Sequence, residues 1–405
     1  MSNAEVSPSS VAPPKANLGP KAWLRQNLFS SWHNSLLTVI VLSIFAWILW
    51  NLATWATTSA QWEIIKVNLP LFFVGRFPQA QYWRVWTILA LIASCSGFSW
   101  GVIARGVPKL LSRNILIGLA VAGIGLISLP TAVPFKLLNL AILGLIIVTA
   151  WGGKQLGHLL PAVGSWLSLI WMALFLISFW LLRGGLGLVL ISTNDWGGLT
   201  LTLLAAVISI VVCFPIGVGL ALARQSSLPA VRWLSTLYIE LIRGVPLVSI
   251  LFMGQVIFPL FLPEGVRPDR VFRAIAGLSL FYAAYVAEDV RGGLQSLPRG
   301  QTEAAKALGL NPVLLTSLII LPQALKTSLP SLVGQFISLF QDTTLLAIVG
   351  LVELLGITRN ILAQPQFLGR YAEAYLFDGL LFWIFCYAMS RASRKLEATL
   401  NTDHS

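Results

Sequence analysis

The feature that most limits what this chain can fold into is a series of apolar runs close to 20 residues long. The first is NSLLTVIVLSIFAWILWNLATW, residues 34–55. At 1.5 Å of rise per residue, about 20 helical residues cross the roughly 30 Å hydrocarbon layer of a bilayer. Comparable runs occupy 86–103, 163–182, 197–223, 246–262, 271–290, 331–355 and 376–389. Two shorter ones, 115–129 and 137–151, are separated by Pro130 and Pro134 and form a tight hairpin or partly re-entrant segments. The expectation is an all-α polytopic membrane protein with about ten transmembrane helices.

Composition agrees. Charged residues make up 10 % of the chain and hydrophobic ones 57 %, against roughly 25 % charged in soluble domains. Many of the 16 tryptophans sit near the ends of apolar runs, as in an interfacial belt. The net charge of +12 does not indicate nucleic acid, because no basic cluster persists without apolar interruption. It reflects Lys and Arg gathered in cytoplasmic loops. Lys15, Lys21 and Arg25 precede the first span; Arg105, Lys109 and Arg113 follow the second. Lys154, Arg224, Arg232, Arg291, Arg299, Arg391, Arg394 and Lys395 fall on the same side. Both termini are therefore expected in the cytoplasm. Residues 1–33 read as a disordered cytoplasmic tail with no secretory signal. Residues 56–83 read as a polar exterior segment. Residues 229–243 read as an amphipathic helix at the inner surface, ended by Pro246.

Cys95, Cys213 and Cys386 lie in apolar runs without ligand spacing, and His33, His158 and His404 lie far apart. No metal site is expected. No His accompanies a membrane-embedded Ser or Asp, so catalytic residues are not expected either.

One polar stretch interrupts the apolar runs: RGQTEAAKALGLNPVLLTSLIILP, residues 299–322. Gln301 to Leu308 reads as a short helix. Gly309 can take the left-handed conformation that ends it, and Asn311-Pro312 starts a second helix. Ala304 and Ala305 are small enough for close approach by a partner, Leu308 and Leu310 offer apolar contact, and Glu303 places a charge near the helix start. On physics alone, a docking knob and a well-capped connector are both open.

A second polar feature lies within a span. Asp342 is expected about 18 Å into the 331–355 run, where an ionisable group faces a cavity or a partner. Thr343 and Thr344 follow it, and Ser338 and Gln335 share its helix face. This set suits an amino acid's ammonium group; a carboxylate paired with a basic group on a neighbouring helix is the other reading. Glu288 with Arg291, and Glu240 with Arg243, have the i, i+3 spacing of local ion pairs or loop anchors and could form an inner gate.

Glu303-Ala304-Ala305, three residues, Gly309, nine residues, Ile319, one residue and Leu321-Pro322 resemble the EAA loop of ABC-importer permeases. The flanking TLYIELIRGVPL (236–247), AAYVAEDVRGGLQSLPRGQTEAAKALGL (283–310) and FQDTTL (340–345) are similar to the histidine/glutamine, or polar amino-acid uptake, permeases. The N-terminal half resembles the longer members of general L-amino-acid importers. Where many members have a basic residue before the Asp-Thr/Ser pair, Gln341 stands here.

The resemblance implies a type I importer permease core of five spans over 196–400 with the coupling loop at 299–322. An N-terminal extension of about five spans covers 34–195, and 401–405 is a tail. It implies a multi-pass protein of a bacterial inner membrane that translocates amino acids. Its partners would be two copies of an ABC ATPase, a second homologous permease, and a periplasmic or external amino-acid-binding protein, with lipid around the spans. GGKQLGH (152–158) lacks the spacing of a phosphate loop, so ATP and Mg belong to the partner ATPase and no cofactor is expected on this chain. An ion-coupled secondary amino-acid transporter is the alternative. It would need discontinuous spans and internal symmetry, and would leave the 299–322 pattern unexplained.

Overall fold

The computed structural model describes residues 19–106, 110–128, 133–266 and 268–401. The expectations for 1–18, 402–405, Lys109, Pro130 and Arg267 lie outside the described residues. Contacts divide the chain into two units at Gln61–Trp62.

The first unit contains α1 (Pro20–Asn27) and α2 (Trp32–Thr54). Part of the expected tail is thus helical. Ser31 caps α2 by accepting from the Asn34 N–H, and the Thr38 hydroxyl donates to the Leu28 carbonyl at 2.9 Å. No residue of α2 is buried, as suits an apolar helix whose side chains meet lipid.

The second unit begins with α3 (Glu63–Val74), α4 (Tyr82–Ile103), α5 (Arg113–Ser128), α6 (Val133–Leu159) and α7 (Val163–Arg183). Two expectations are corrected here. Residues 56–83 are not simply a polar connector: α3 buries Ile64, Asn68, Phe72 and Val74 and packs on the helices of the C-terminal half, with Phe72 edge-on to Phe377 at 5.0 Å. Pro70 lies inside this helix and obscures its period in the sequence. The 137–151 run is the middle of a 27-residue helix, α6. Pro134 sits in its first turn, where its missing N–H is harmless. Gly153 is a packing surface: a Cβ there would lie 2.4 Å from the Phe98 carbonyl, and one at Gly101 would lie 2.0 Å from the Ala150 carbonyl. Small residues let α4 and α6 approach this closely. Gly101→Leu is expected to cost about 1–3 kcal/mol by overpacking. It should appear as a lowered unfolding midpoint in detergent, while Gly106→Leu, where a Cβ meets nothing within 4 Å, leaves the midpoint unchanged.

The C-terminal half contains α8 (Gly198–Arg224), α9 (Pro229–Gly244), α10 (Leu247–Phe252), α11 (Arg270–Ser296), α12 (Arg299–Ala307), α13 (Pro312–Leu314), α14 (Leu321–Asp342), α15 (Leu354–Leu362) and α16 (Tyr371–Asn401). Among the described residues, eight helices are long and apolar enough to cross a membrane. A ninth is possible if α9 and the 247–261 segment, bent by 105°, count as one span; Ile115–Ile127 is a shorter apolar helix. The bend follows Pro246, as expected. The core is built around α11. Ala283, Ala284 and Ala287 are fully buried, and their small size allows α8 and α14 to close on it. Helix continues from Pro312 to Ala347, so the span expected at 331–355 begins earlier and ends sooner. Leu354–Leu362 is a separate helix with one face buried.

That helix has an unusual cap. Glu353 is fully buried, and its two oxygens accept from the Leu355 and Gly356 N–H groups at 2.8 Å. The Thr202 hydroxyl on α8 accepts from the Leu354 N–H at 3.1 Å. Burial pushes the Glu353 carboxyl up to about 8, against the two N–H donors that pull it down. Its proton is held more tightly folded than unfolded. The stabilisation is therefore complete below about 4.5 and is lost as pH rises through about 8. The unfolding midpoint is expected to fall between about pH 5 and about pH 9. Glu353→Gln should flatten that slope, and an unaltered slope in the variant would assign the titration elsewhere.

Candidate transport site and docking loop

At one end of the bundle, the 299–322 stretch folds as the residue types dictate. α12 ends in a Schellman turn. Leu308 closes the helix, the Gly309 N–H donates to the Lys306 carbonyl at 2.9 Å, and the Leu310 N–H donates to the Ala305 carbonyl at 3.2 Å. Gly309 has φ +75°, and a Cβ there would meet nothing within 4 Å. The Asn311 side chain then caps α13 by accepting from the Leu314 N–H at 2.9 Å, with Pro312 in the first turn. A π-helical turn, Leu315–Ile320, leads into α14.

The side chains divide in a way the sequence did not reveal. Leu308 is 81 % exposed and Val313 74 %; Glu303 and Ala304 are exposed, and Leu310 is half-buried. Ala305, in contrast, is 2 % exposed. Its small size serves the packing of α12 on its own chain, so it offers no contact to a partner. Glu303 lies beyond the first turn of α12, where the helix dipole favours a carboxylate little.

A seam between α11 and α14 runs through the bundle. The two helices are antiparallel, and two contacts mark them. The Tyr282 phenol donates to Asp342 at 2.6 Å, and Gly293 sits against the Ala324 carbonyl, where a Cβ would come within 2.4 Å. Tyr282 lies about 18 Å along α11 from Arg270, so Asp342 is near mid-span. Its partner is a phenol, not the basic group weighed from the sequence. Thr343 is fully buried and donates to the Phe340 carbonyl, which removes it from any route. Thr344 donates to the Gln341 carbonyl at 2.9 Å. Ser338 is exposed and Gln335 half-buried. Thr327, Ser331, Gly334, Ser338 and Gln341 form an exposed small or polar stripe along α14, with the helical spacing of one face.

Between this seam and α9 lies an ion-pair cluster. Arg224 joins Glu240 at 2.8 Å and Glu288 at 3.1 Å. Arg291 holds Glu288 within α11, its Nε donating at 3.0 Å. Arg243 reaches Glu288 at 3.7 Å and stacks over Tyr285 with its guanidinium carbon 5.5 Å from the ring centre. The Glu288–Arg291 pair forms as its spacing predicts. The Glu240–Arg243 pair does not: Arg224, from α8, takes Glu240, and Arg243 turns to α11. Arg224 stands 16 residues from Glu240 and 64 from Glu288 in sequence, so no local pattern could have found it. Tyr282 was also missed, because it belongs to a helix 60 residues from Asp342.

In the N-terminal part, Arg84 is 1 % exposed and donates to the Val189 carbonyl at 2.9 Å and the Leu181 carbonyl at 3.4 Å. It thereby reaches a carbonyl in the last turn of α7, which has no helical partner, and one in the loop that follows the helix. No metal-binding group of three or more His, Cys, Asp or Glu occurs among the described residues.

Residues 213–401 match the family described as the binding-protein-dependent transport system inner membrane component. The chain is 37 % identical over 401 residues to the inner membrane amino-acid ABC transporter permease protein YhdY of Escherichia coli K12, covering 94 % of this chain and 93 % of that one. It is 37 % identical over 431 residues to the glutamate/glutamine/aspartate/asparagine transport system permease protein BztC of Rhodobacter capsulatus, covering 96 % of each. A solved amino acid ABC transporter with histidines matches half of this chain and 92 % of its own, at 27 % identity and a TM-score of 0.45. Similarity at that level along nearly the whole length, joined to the intact 299–322 pattern, places this chain in the family of amino-acid ABC transporter permeases.

Proposed function

We propose that this chain carries one wall of an amino-acid translocation route along the α11–α14 seam and is driven through the α12–α13 turn by a separate ATPase. The observation that carries the reading is the exposed stripe Thr327, Ser331, Gly334, Ser338 and Gln341 on a membrane-spanning helix. Polar groups at membrane depth face protein or a water-filled cavity rather than lipid. A second homologous permease, facing that stripe, completes the route. Ser338, Gln335 and Asp342 then present a hydroxyl, an amide and a carboxylate to a zwitterion. Two ATPase copies grip the turns through Leu308, Val313 and Ala304, with Gly309 giving the open approach, and hold the ATP and Mg. An external binding protein delivers the amino acid at the opposite end. Positive charge at the docking end supports a cytoplasmic location for both termini, with Glu240, Arg243, Glu288 and Arg291 just inside that face.

The test is recovery of tagged protein from its own membrane, followed by ATP hydrolysis and uptake in liposomes with candidate amino acids. Recovery with an ATPase, a related permease and a binding protein, and amino-acid-stimulated hydrolysis, is expected. A lone protein whose uptake proceeds without ATP would overturn the proposal and favour an ion-coupled carrier.

A further inference from the structure

At the end of the bundle away from the docking turn, a groove of about 240 Å³ opens between α3 and α16. Trp62, Ile65, Lys66, Leu376, Phe377 and Leu380 line it. α3 has 12 residues and is about 18 Å long, too short to cross the roughly 30 Å hydrocarbon layer. It is fixed at the Gly198 end of α8. The Thr200 hydroxyl donates to the Phe73 carbonyl at 2.8 Å, and a Cβ at Gly198 would lie 2.4 Å from the Phe72 carbonyl. α16, in contrast, is long and apolar enough to span. The groove therefore lies where a helix at the membrane surface meets a helix that crosses it. Its floor is held in place, because Phe377 packs edge-on against the buried Phe72 at 5.0 Å.

The lining has two parts of different chemistry. Leu376 and Leu380 begin an exposed apolar stripe that continues through Trp383 and Tyr387, with the spacing of one helix face and a length of about 16 Å. That is the direction an acyl chain would take. At the other side stands Lys66, which is exposed and takes part in none of the four ion pairs among the described residues. Trp62 lies one turn before it, a residue type suited to the headgroup layer. A cation above an apolar slot at that depth complements a phosphate with a chain beneath it. A larger groove between α8 and α14, about 440 Å³, is lined by apolar side chains throughout, and nothing in it would select a headgroup.

We propose that the α3–α16 groove is a binding site for an anionic phospholipid in the leaflet away from the docking turn. The phosphate pairs with the Lys66 ammonium, and one acyl chain lies along Leu376 and Leu380. Bound lipid then ties α3 to α16.

The test uses the full chain, purified with its bound partners and placed in vesicles. Two probes are compared, phosphatidylglycerol and phosphatidylcholine, each carrying a photoreactive diazirine on one acyl chain, with labelled peptides located by mass spectrometry. The phosphatidylglycerol probe should label 62–66 and 376–380 about fivefold more than the phosphatidylcholine probe, the contribution of one lysine near an anionic headgroup. Lys66→Gln should remove that preference and Lys66→Arg should keep it. Both probes should label α2, which has no buried residue, to the same extent. Equal labelling of the groove by the two probes would reduce it to ordinary lipid contact and overturn the proposal. A preference that survives Lys66→Gln would also overturn it. So would labelling of α2 with none at the groove, which would mean that a protein covers this face.

Discussion

Gly309→Trp is expected to abolish ATP-driven uptake and co-purification of the ATPase while leaving the helical bundle folded. Two effects separate at this position. Any side chain at φ +75° carries backbone strain of about 1–2 kcal/mol, so Gly309→Ala reports strain alone. The space beyond the glycine is open within this chain, so an indole has nothing of its own protein to strike. Its bulk falls where an approaching partner would lie, between exposed Leu308 and Val313. Gly309→Ala should therefore retain the ATPase with uptake reduced by about tenfold or less, the equivalent of about 1.4 kcal/mol. Gly309→Trp should lose the ATPase altogether, with the unfolding midpoint of the isolated permease within a few degrees of that of the alanine variant. Retention of the ATPase by the tryptophan variant would move the docking surface away from the α12–α13 turn. Leu308→Asp offers an independent check. It adds charge at an 81 % exposed side chain without touching the turn's backbone, and should weaken the same association.

The docking turn was legible because its determinants are local. A glycine at a helix end, an asparagine and a proline at the next helix start, and their spacing all act over a few residues, and the structure forms the turn from them. The spans were legible because lipid imposes one length and one polarity. What escaped was everything set by contacts distant in sequence. Ala305 looked like a small contact surface because composition cannot tell which side of a short helix faces inward. The packing role of Gly153 escaped because it depends on Phe98, on a different helix. α3 was missed because its apolar face is explained only by Phe377 and the Glu353 region, roughly three hundred residues onward. The Arg224–Glu240 pair defeated the i, i+3 rule because a third helix supplies the stronger partner. Asp342 was found by its depth, but Tyr282, which donates to it, belongs to a helix sixty residues away. Local chemistry identified the turn proposed to meet another protein, and tertiary packing decided which of its residues remain exposed.

Asp342→Asn is expected to lower uptake about a hundredfold, a loss of about 2.7 kcal/mol in the transport step, without releasing the ATPase. The Tyr282 contact makes the interpretation sharp. If Asp342 served only to hold the phenol, removing either partner would have the same consequence, and Tyr282→Phe would match Asp342→Asn. A carboxylate that meets the substrate's ammonium instead loses its charge in the asparagine variant but keeps it in Tyr282→Phe. The phenylalanine variant should then transport within about tenfold of the parent protein, since a hydrogen bond to a charged group contributes about 1.5–3 kcal/mol at most and a freed carboxylate can recruit water in a polar route. The apparent affinity for amino acid, read from the concentration dependence of uptake, should rise or hold in Tyr282→Phe and fall in Asp342→Asn. Ser338→Ala, one turn along the same exposed face, should produce a smaller loss in the same direction. Equal losses in Tyr282→Phe and Asp342→Asn would assign Asp342 to the packing of α14 on α11. The route would then be lined by the hydroxyls and amides of the α14 stripe, with no fixed negative charge at its centre.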